Sequence, residues 1–274
     1  MKAKMKTYGI IGAIAGDVIG SCYEFNNIKH MDFELFKNDS EFTDDTVLTI
    51  ATMDVLNKKS KNYGYKEAYH EFGIAYPTSY GSSFKDWLYD YENEQKPYNS
   101  YGNGSAMRVS PVAWAFDNLE AVLKEAERSA EVTHNHPEGI KGAQATAAAV
   151  YMARTGKSKE EIKSFISEKF CYNLNRTIDE IRPSYRFDVT CQGSVPEAII
   201  AFLESTDFEN AIRLAVSLGG DSDTIACIAG AISEAYYKKI PDYIATTVLK
   251  KLPLEFLEII AKFSGTDLST NLLA

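Results

Sequence analysis

Asp221-Ser222-Asp223-Thr224 sets two carboxylates and two hydroxyls in a row, directly behind the glycine pair Gly219-Gly220. The residues that follow, Ile225-Ala226-Cys227-Ile228-Ala229-Gly230-Ala231-Ile232, bring no charge until Glu234. A helix apolar on every side is a buried helix, so its start is expected inside the protein as well. Ionised carboxylates taken out of water without partners are costly, so something positive must meet them. Thr43-Asp44-Asp45-Thr46 repeats the arrangement at the mouth of a second mostly apolar stretch, Val47 to Leu56. Plain N-capping accounts for one oxygen at a helix start. Here two motifs each offer four oxygen-bearing residues. Neighbouring buried carboxylates repel, and one of them ordinarily keeps a proton. A divalent cation reverses that preference, and helix N-termini also favour the ionised form. Carboxylate and hydroxyl oxygens are hard ligands, suited to Mg²⁺, Mn²⁺ or Ca²⁺ rather than zinc. Together the motifs read as a binuclear metal site.

The elements that must hold these residues are helices. Helical spacing of apolar residues recurs along the chain and strand patterns hardly appear. Gly9, Gly12, Gly16 and Gly20 fall on one helical face, where a neighbouring helix could come close. No strand precedes them and they do not form a dinucleotide fingerprint. Tyr65, Ala68, Tyr69, Phe72 and Tyr76 give another face, ended by Pro77. Asn118 is placed to cap the helix of Leu119, Val122, Leu123 and Ala126, and Gly156 to end an alanine-rich helix running through Ala153. Ser158-Lys159-Glu160-Glu161 has capping-box spacing. Ser194-Val195-Pro196-Glu197 has it too, which predicts a helix starting there with its proline in the first turn. No linker, repeat or low-complexity tract divides the chain, so one all-α domain over residues 1–274 is expected.

Bulk properties remove several function classes. A net charge of −9, with no Lys/Arg stripe, argues against a nucleic-acid surface. Lys58-Lys59 and Lys157-Ser158-Lys159 read as solvated helix ends. Cys22, Cys171, Cys191 and Cys227 are widely spaced, which fits a reducing cytoplasm. Lys2, Lys4 and Lys6 ahead of Ile10-Ile11 imitate a signal peptide, but Asp17 interrupts the apolar run, which reads instead as the first buried helix. No segment has the roughly 18 apolar residues of a membrane span. Serine-triad and Cys-His chemistry lack their signatures, with no nucleophile elbow after a strand and no activated cysteine.

Four blocks resemble the ADP-ribosylglycohydrolase family, whose bacterial prototype is the dinitrogenase-reductase-activating glycohydrolase. They are Gly16-Asp17-Val18-Ile19-Gly20-Ser21-Cys22-Tyr23-Glu24, Phe42-Thr43-Asp44-Asp45-Thr46, Tyr101-Gly102-Asn103-Gly104-Ser105-Ala106-Met107-Arg108 and Gly219-Gly220-Asp221-Ser222-Asp223-Thr224, in the family's order. The resemblance implies a compact orthogonal multi-helix fold with two Mg²⁺ or Mn²⁺ ions in a central cleft. By matching positions, Thr43, Asp44, Asp45, Asp221, Asp223 and Thr224 would be the metal ligands. Glu24 would be the glutamate that the family carries on a mobile loop beside the metals. Glu24, Asp44, Asp45 and Asp223 form the implied catalytic set, and either Glu24 or a metal-bound aspartate would be the general base. Asp17 reads either as a group orienting a ligand or as a capped polar residue, and stays outside that set.

Gly102, Asn103, Gly104, His134, Gly139 and Ser222 are the implied contacts to substrate. A loop of Gly102, Asn103 and Gly104 lets backbone approach a sugar or phosphate closely, although such loops are often only turns. Thr133 to Gly139 leads into a helix N-terminus, a ready anion site. His134 and His136 lack a third nitrogen or sulfur ligand nearby, so a zinc site is not expected. Tyr101, Phe116, Tyr185 and Phe187 are open candidates for stacking on adenine. The implied activity is metal-assisted hydrolysis of the bond between ADP-ribose and an arginine, serine or small-molecule acceptor. The partner would be an ADP-ribosylated protein or conjugate. A catalytically silent ADP-ribose-binding module and a Mg²⁺-dependent nucleotide phosphohydrolase are the alternatives.

Overall fold

The computed structural model describes residues 10–92 and 94–265. Among them the regular elements are helical: α1 (Ile11–Gly20), α2 (Asp44–Lys58), α3 (Tyr65–Ala75), α4 (Ser82–Leu88), α5 (Gly104–Met107), α6 (Val112–Ala115), α7 (Leu119–Glu131) and α8 (Pro137–Arg154). The chain continues through α9 (Lys159–Phe170), α10 (Ile178–Ile181), α11 (Cys191–Glu204), α12 (Phe208–Val216), α13 (Ser222–Tyr237), α14 (Asp242–Leu249) and α15 (Leu254–Ser264). No strand forms among the described residues; an isolated bridge joins Gly102 to Thr190. The all-α expectation holds.

Helix starts follow their oxygen-bearing side chains. The side chains of Thr43, Asn118, Ser158 and Asp207 each accept a backbone N–H from the first turn that follows. Ser158 and Glu161 complete the expected capping box. Gly156, just past α8, takes a positive φ of 85°. One expected start is wrong. α11 begins at Cys191, capped by Thr190, whose hydroxyl accepts from the Gly193 N–H at 3.1 Å. Pro196 therefore lies inside the helix, where its ring forfeits one backbone bond, and Glu197 is buried against Arg176 at 2.8 Å rather than closing a box. Lys159 also departs from its solvated reading. Its ammonium is drawn onto the carbonyls of Leu203 and Ser205 and the Tyr237 hydroxyl.

α13 is the centre of the molecule, with α1, α8, α11 and α12 packed around it. Every residue of α13 from Ser222 to Ala235 is buried, and so is the whole of α1. These two helices run antiparallel with their backbones nearly touching. A Cβ on Gly12 would sit 2.5 Å from the Gly230 carbonyl oxygen, one on Gly16 2.0 Å from that of Ala226, and one on Gly20 2.5 Å from Asp223 Cα. Gly9, expected on the same line, lies outside the described residues. The antiparallel sense carries the C-terminal end of α1 to the N-terminal end of α13. Glu234, near the far end of α13, accepts the Gly12 N–H at 2.7 Å, where the helix start favours a carboxylate. No helix of the described residues is long and apolar enough to cross a membrane, and the four cysteines are free thiols.

Side chains added along this seam have nowhere to go. Gly16→Ala is expected to destabilise the protein by about 3 kcal/mol as the helices are forced apart. Gly81→Ala, where a Cβ meets nothing within 4 Å, should cost less than about 1 kcal/mol. Urea unfolding of the two variants checks the contrast, and equal midpoints would show that the seam is not under steric constraint.

Candidate active site

Three helix ends meet where α1 finishes. Asp17, wholly buried on α1, accepts four hydrogen bonds from the start of α2. The Thr43 N–H and hydroxyl donate at 2.9 and 2.7 Å, the Thr46 N–H donates at 3.0 Å, and the Thr46 hydroxyl donates as well. This network answers the question left open for Asp17: it holds the N-terminus of α2 in place against α13. The Thr43 hydroxyl lies 3.4 Å from Asp223 on α13, and the Thr224 hydroxyl donates to Asp45 at 3.2 Å. The two acid motifs, almost 180 residues apart in the chain, thus face one another.

The Gly219-Gly220 pair turns the chain into α13 through left-handed conformations, φ 69° and 76°, that favour glycine. Asn27 clasps this turn, accepting from the Gly220 N–H at 2.7 Å and donating to its carbonyl at 3.0 Å. The Lys29 ammonium donates to the Leu218 carbonyl just before it. Asn103 reaches across from α5's edge and donates to Asp221 at 2.6 Å and to the Ser194 hydroxyl at 3.0 Å. Glu24, half-buried beyond the 3-10 turn Ser21–Tyr23, completes the cluster: one oxygen each from Glu24, Asp221 and Asp223 lies within 4.8 Å of the others.

The cluster is electrostatically incomplete. Burial pushes Asp44, Asp45 and Asp223 well above the usual carboxylate range, and each is pushed further by its acidic neighbours, Asp223 foremost for the first two and Asp221 for the third. Burial raises Glu24 to about 8, with Asp223 and Asp17 adding to the effect. Asp17 and Asp221 rise to about 6, again through burial, held back by the threonines in one case and mainly by Asp223 and Asn103 in the other. The ion pairs of the described residues all lie elsewhere. Asp45 Oδ1 is buried with no hydrogen-bond partner. A partnerless carboxylate oxygen among oxygen-only donors fits a hard divalent cation.

A cleft of about 370 Å³ opens onto these acids, walled by Glu24, Asp44, Asp45, Asp221, Asp223 and Thr224. Gly102, Asn103, Gly104 and His134 line it as well, Asn103 in direct contact with Asp221. Thr43 sits behind it, tied to Asp17. Two of the expected substrate contacts are not on the wall. Ser222 is fully buried with its hydroxyl turned back to the Gly220 carbonyl at 3.2 Å. Gly139 is a packing residue whose carbonyl accepts from Ser105 at 2.7 Å; a Cβ there would lie 2.6 Å from the Ser100 carbonyl. Of the aromatic candidates, Phe187 is on the wall and stacks on Phe25, ring centres 6.1 Å apart, with both rings exposed. Phe25 carries no sequence signal beyond its place after Glu24. Tyr101 stands at the surface edge-on to His136, Tyr185 donates its hydroxyl to the Gly193 carbonyl, and Phe116 lines a separate groove of about 1030 Å³. That groove is the larger of the two, but none of the clustered acids reaches it.

Known proteins show which family the chain resembles. The family model described as ADP-ribosylglycohydrolase matches residues 7–267. ADP-ribosylhydrolase ARH3 of Mus musculus is 27% identical, covering 85% of this chain and 84% of its own. ADP-ribosylarginine hydrolase Tri1 of Pseudomonas putida is 26% identical, covering 83% of this chain and 69% of its own. A solved structure titled ADP-ribosylglycohydrolase-related protein complex superposes with a TM-score of 0.72 at 23% identity, covering 96% of this chain and 98% of that one, a likeness of fold. With a family match that runs almost from end to end, the chain belongs to the ADP-ribosylglycohydrolases.

Proposed function

We propose that the protein hydrolyses the glycosidic bond between ADP-ribose and a modified acceptor, with two Mg²⁺ or Mn²⁺ ions. The observation that carries this reading is the convergence of Glu24, Asp44, Asp45, Asp221 and Asp223 at one cleft with Asp17 buried behind them, and no lysine or arginine ion-paired to any of the six among the described residues. Relatives named for hydrolysing ADP-ribosyl and ADP-ribosylarginine groups support the substrate class. Arginine- and serine-linked conjugates are both candidate substrates.

Thr43, Asp44, Asp45, Asp221, Asp223 and Thr224 would hold the ions. Divalent cations bound there would orient the ribose hydroxyls and ease ionisation of the attacking water. Asp17 keeps Thr43 in register, and Asn103 fixes the Asp221 carboxylate. The acids facing the cleft stabilise the positive charge that develops at the anomeric carbon. Glu24, at the edge of the cluster, is our candidate to take the proton from water. Gly102, Asn103, Gly104 and His134 form the surface against which ADP-ribose would lie.

Arginine- and serine-linked ADP-ribosyl peptides, incubated with Mg²⁺ or Mn²⁺ and with EDTA, test this directly. Release of intact ADP-ribose in metal alone is expected. Asp44→Ala and Asp223→Ala should each lower turnover by about 10³-fold or more while leaving helicity intact. Wild-type turnover by either variant in metal-defined buffer would remove the assigned roles. Binding of ADP-ribose without turnover would instead identify a silent binding module, and release of phosphate or AMP a phosphohydrolase.

The raised carboxyls also predict an unusual pH response. A group whose folded pKa exceeds its unfolded value, near 4 for these acids, stabilises the fold fully only below that value. The contribution is lost as pH rises through about 6 for Asp17 and Asp221 and about 8 for Glu24. In EDTA the melting temperature should therefore fall between about pH 5 and about pH 9. Mg²⁺ or Mn²⁺ should recover most of the loss at the alkaline end. A melting temperature flat across this range in EDTA would contradict the electrostatic account.

A further inference from the structure

Arg108 is the largest wholly buried side chain, and among the described residues no ion pair forms with it. Its guanidinium lies 3.9 Å from the centre of the Tyr69 ring. Nη2 donates to the Ser129 carbonyl at 3.1 Å and to the Thr133 hydroxyl oxygen at 2.7 Å, while Nε and Nη1 have no partner. A guanidinium only donates, so Thr133 is the acceptor in that contact and its own hydrogen must point elsewhere. His134 Nδ1 stands 2.7 Å away.

If Nδ1 carried the proton, the buried threonine hydrogen would be left without an acceptor, and an N–H dipole would point back toward the guanidinium. The arrangement that satisfies both groups has Thr133 donating to a bare Nδ1. Neutral imidazole then carries its hydrogen on Nε2. Burial and the nearby Arg108 charge hold the His134 pKa well below its ordinary value, so the ring stays neutral. Nε2 faces the Gly102–Gly104 wall of the cleft: a Cβ on Gly104 would lie 3.2 Å from it, and one on Gly102 3.5 Å. The two glycines keep the space before that nitrogen open.

We propose that Arg108 and Thr133 are positioning residues that lock His134 as a neutral Nε2–H donor, aimed into the cleft at an acceptor atom of ADP-ribose. The identity of the acceptor rests on the function proposed above; the tautomer does not.

Long-range proton–nitrogen spectra of protein labelled with ¹⁵N-histidine read the tautomer directly, with the His134→Gln variant assigning the signal among the four histidines. A protonated Nε2 and a bare Nδ1 are expected in the wild type, and loss of that single-tautomer signature in Thr133→Val. A protonated Nδ1 in the wild type would overturn the lock without recourse to any variant. Calorimetric titration with free ADP-ribose supplies the second readout. Thr133→Val should weaken binding about ten-fold, with Thr133→Ser restoring it. Unchanged affinity and an unchanged spectrum in a folded Thr133→Val protein would refute the positioning role. A wild type with the expected tautomer and no affinity for ADP-ribose would overturn the aim at that ligand together with the proposed function, leaving the lock itself supported.

Discussion

Six carboxyl groups crowded together, four of them buried and Glu24 and Asp44 partly so, repel one another, and the surrounding contacts hold them together in spite of it. Asp17 tolerates its position because four donors from the start of α2 converge on it. Asp221 is steadied by Asn103, and Asp45 receives the Thr224 hydroxyl on one oxygen while the other has nothing. Helix N-termini at both acid motifs contribute their partial positive charge. These terms soften the repulsion without cancelling it, as the raised pKa values show. Charge left over in this way is what gives a cation something to bind.

The scaffold for this cluster is the contact between α1 and α13. Helices normally pack 8–10 Å apart, roughly, with side chains between them. Glycines at positions 12, 16, 20 and 230 remove the side chains, and the backbones close up. That closeness seats Asp17 beside the start of α13 and lets α2 hang from it. A seam of absent side chains and a cluster of excess charge are therefore two ends of one arrangement: the first sets the distances that the second requires.

Much of this was legible in the sequence because it depends on local pattern. Mostly apolar runs marked α1 and α13 as buried, glycines at helical spacing marked a face of α1 open to a neighbouring helix, and Asn118 and Ser158 capped the helices they were read to cap. What stayed hidden depends on tertiary direction. Ser222 sits between two cleft-facing acids, yet it points away because successive helical residues diverge by about 100°. The start of α11 was misread because the Ser194 spacing is the stronger local pattern, while the cap that forms is Thr190, whose hydroxyl accepts the Gly193 N–H. The role of Asp17 stayed open between orienting a ligand and a capped polar residue, since its four donors arrive from more than 25 residues away. Phe25 acquires meaning only when Phe187, from the far side of the chain, stacks on it.

The tethering around Glu24 limits how that residue can travel. Tyr23, next to it, is buried with its hydroxyl fastened to the Glu34 carbonyl at 2.6 Å. Three residues on, Asn27 holds the Gly220 turn and also donates to the carbonyls of Tyr23 and Glu24. Consecutive Cα atoms are about 3.8 Å apart, so the Glu24 backbone is leashed to within one such step of a fixed point. Its carboxylate can pivot about its own side-chain bonds, while the backbone on either side of it is fastened. Phe187 and Val189, on the same cleft, stand out in solvent on a stretch without helix, yet the Val189 carbonyl there is held by the Asn103 N–H at 2.8 Å, so both rims are anchored through backbone groups while their side chains stay free to turn.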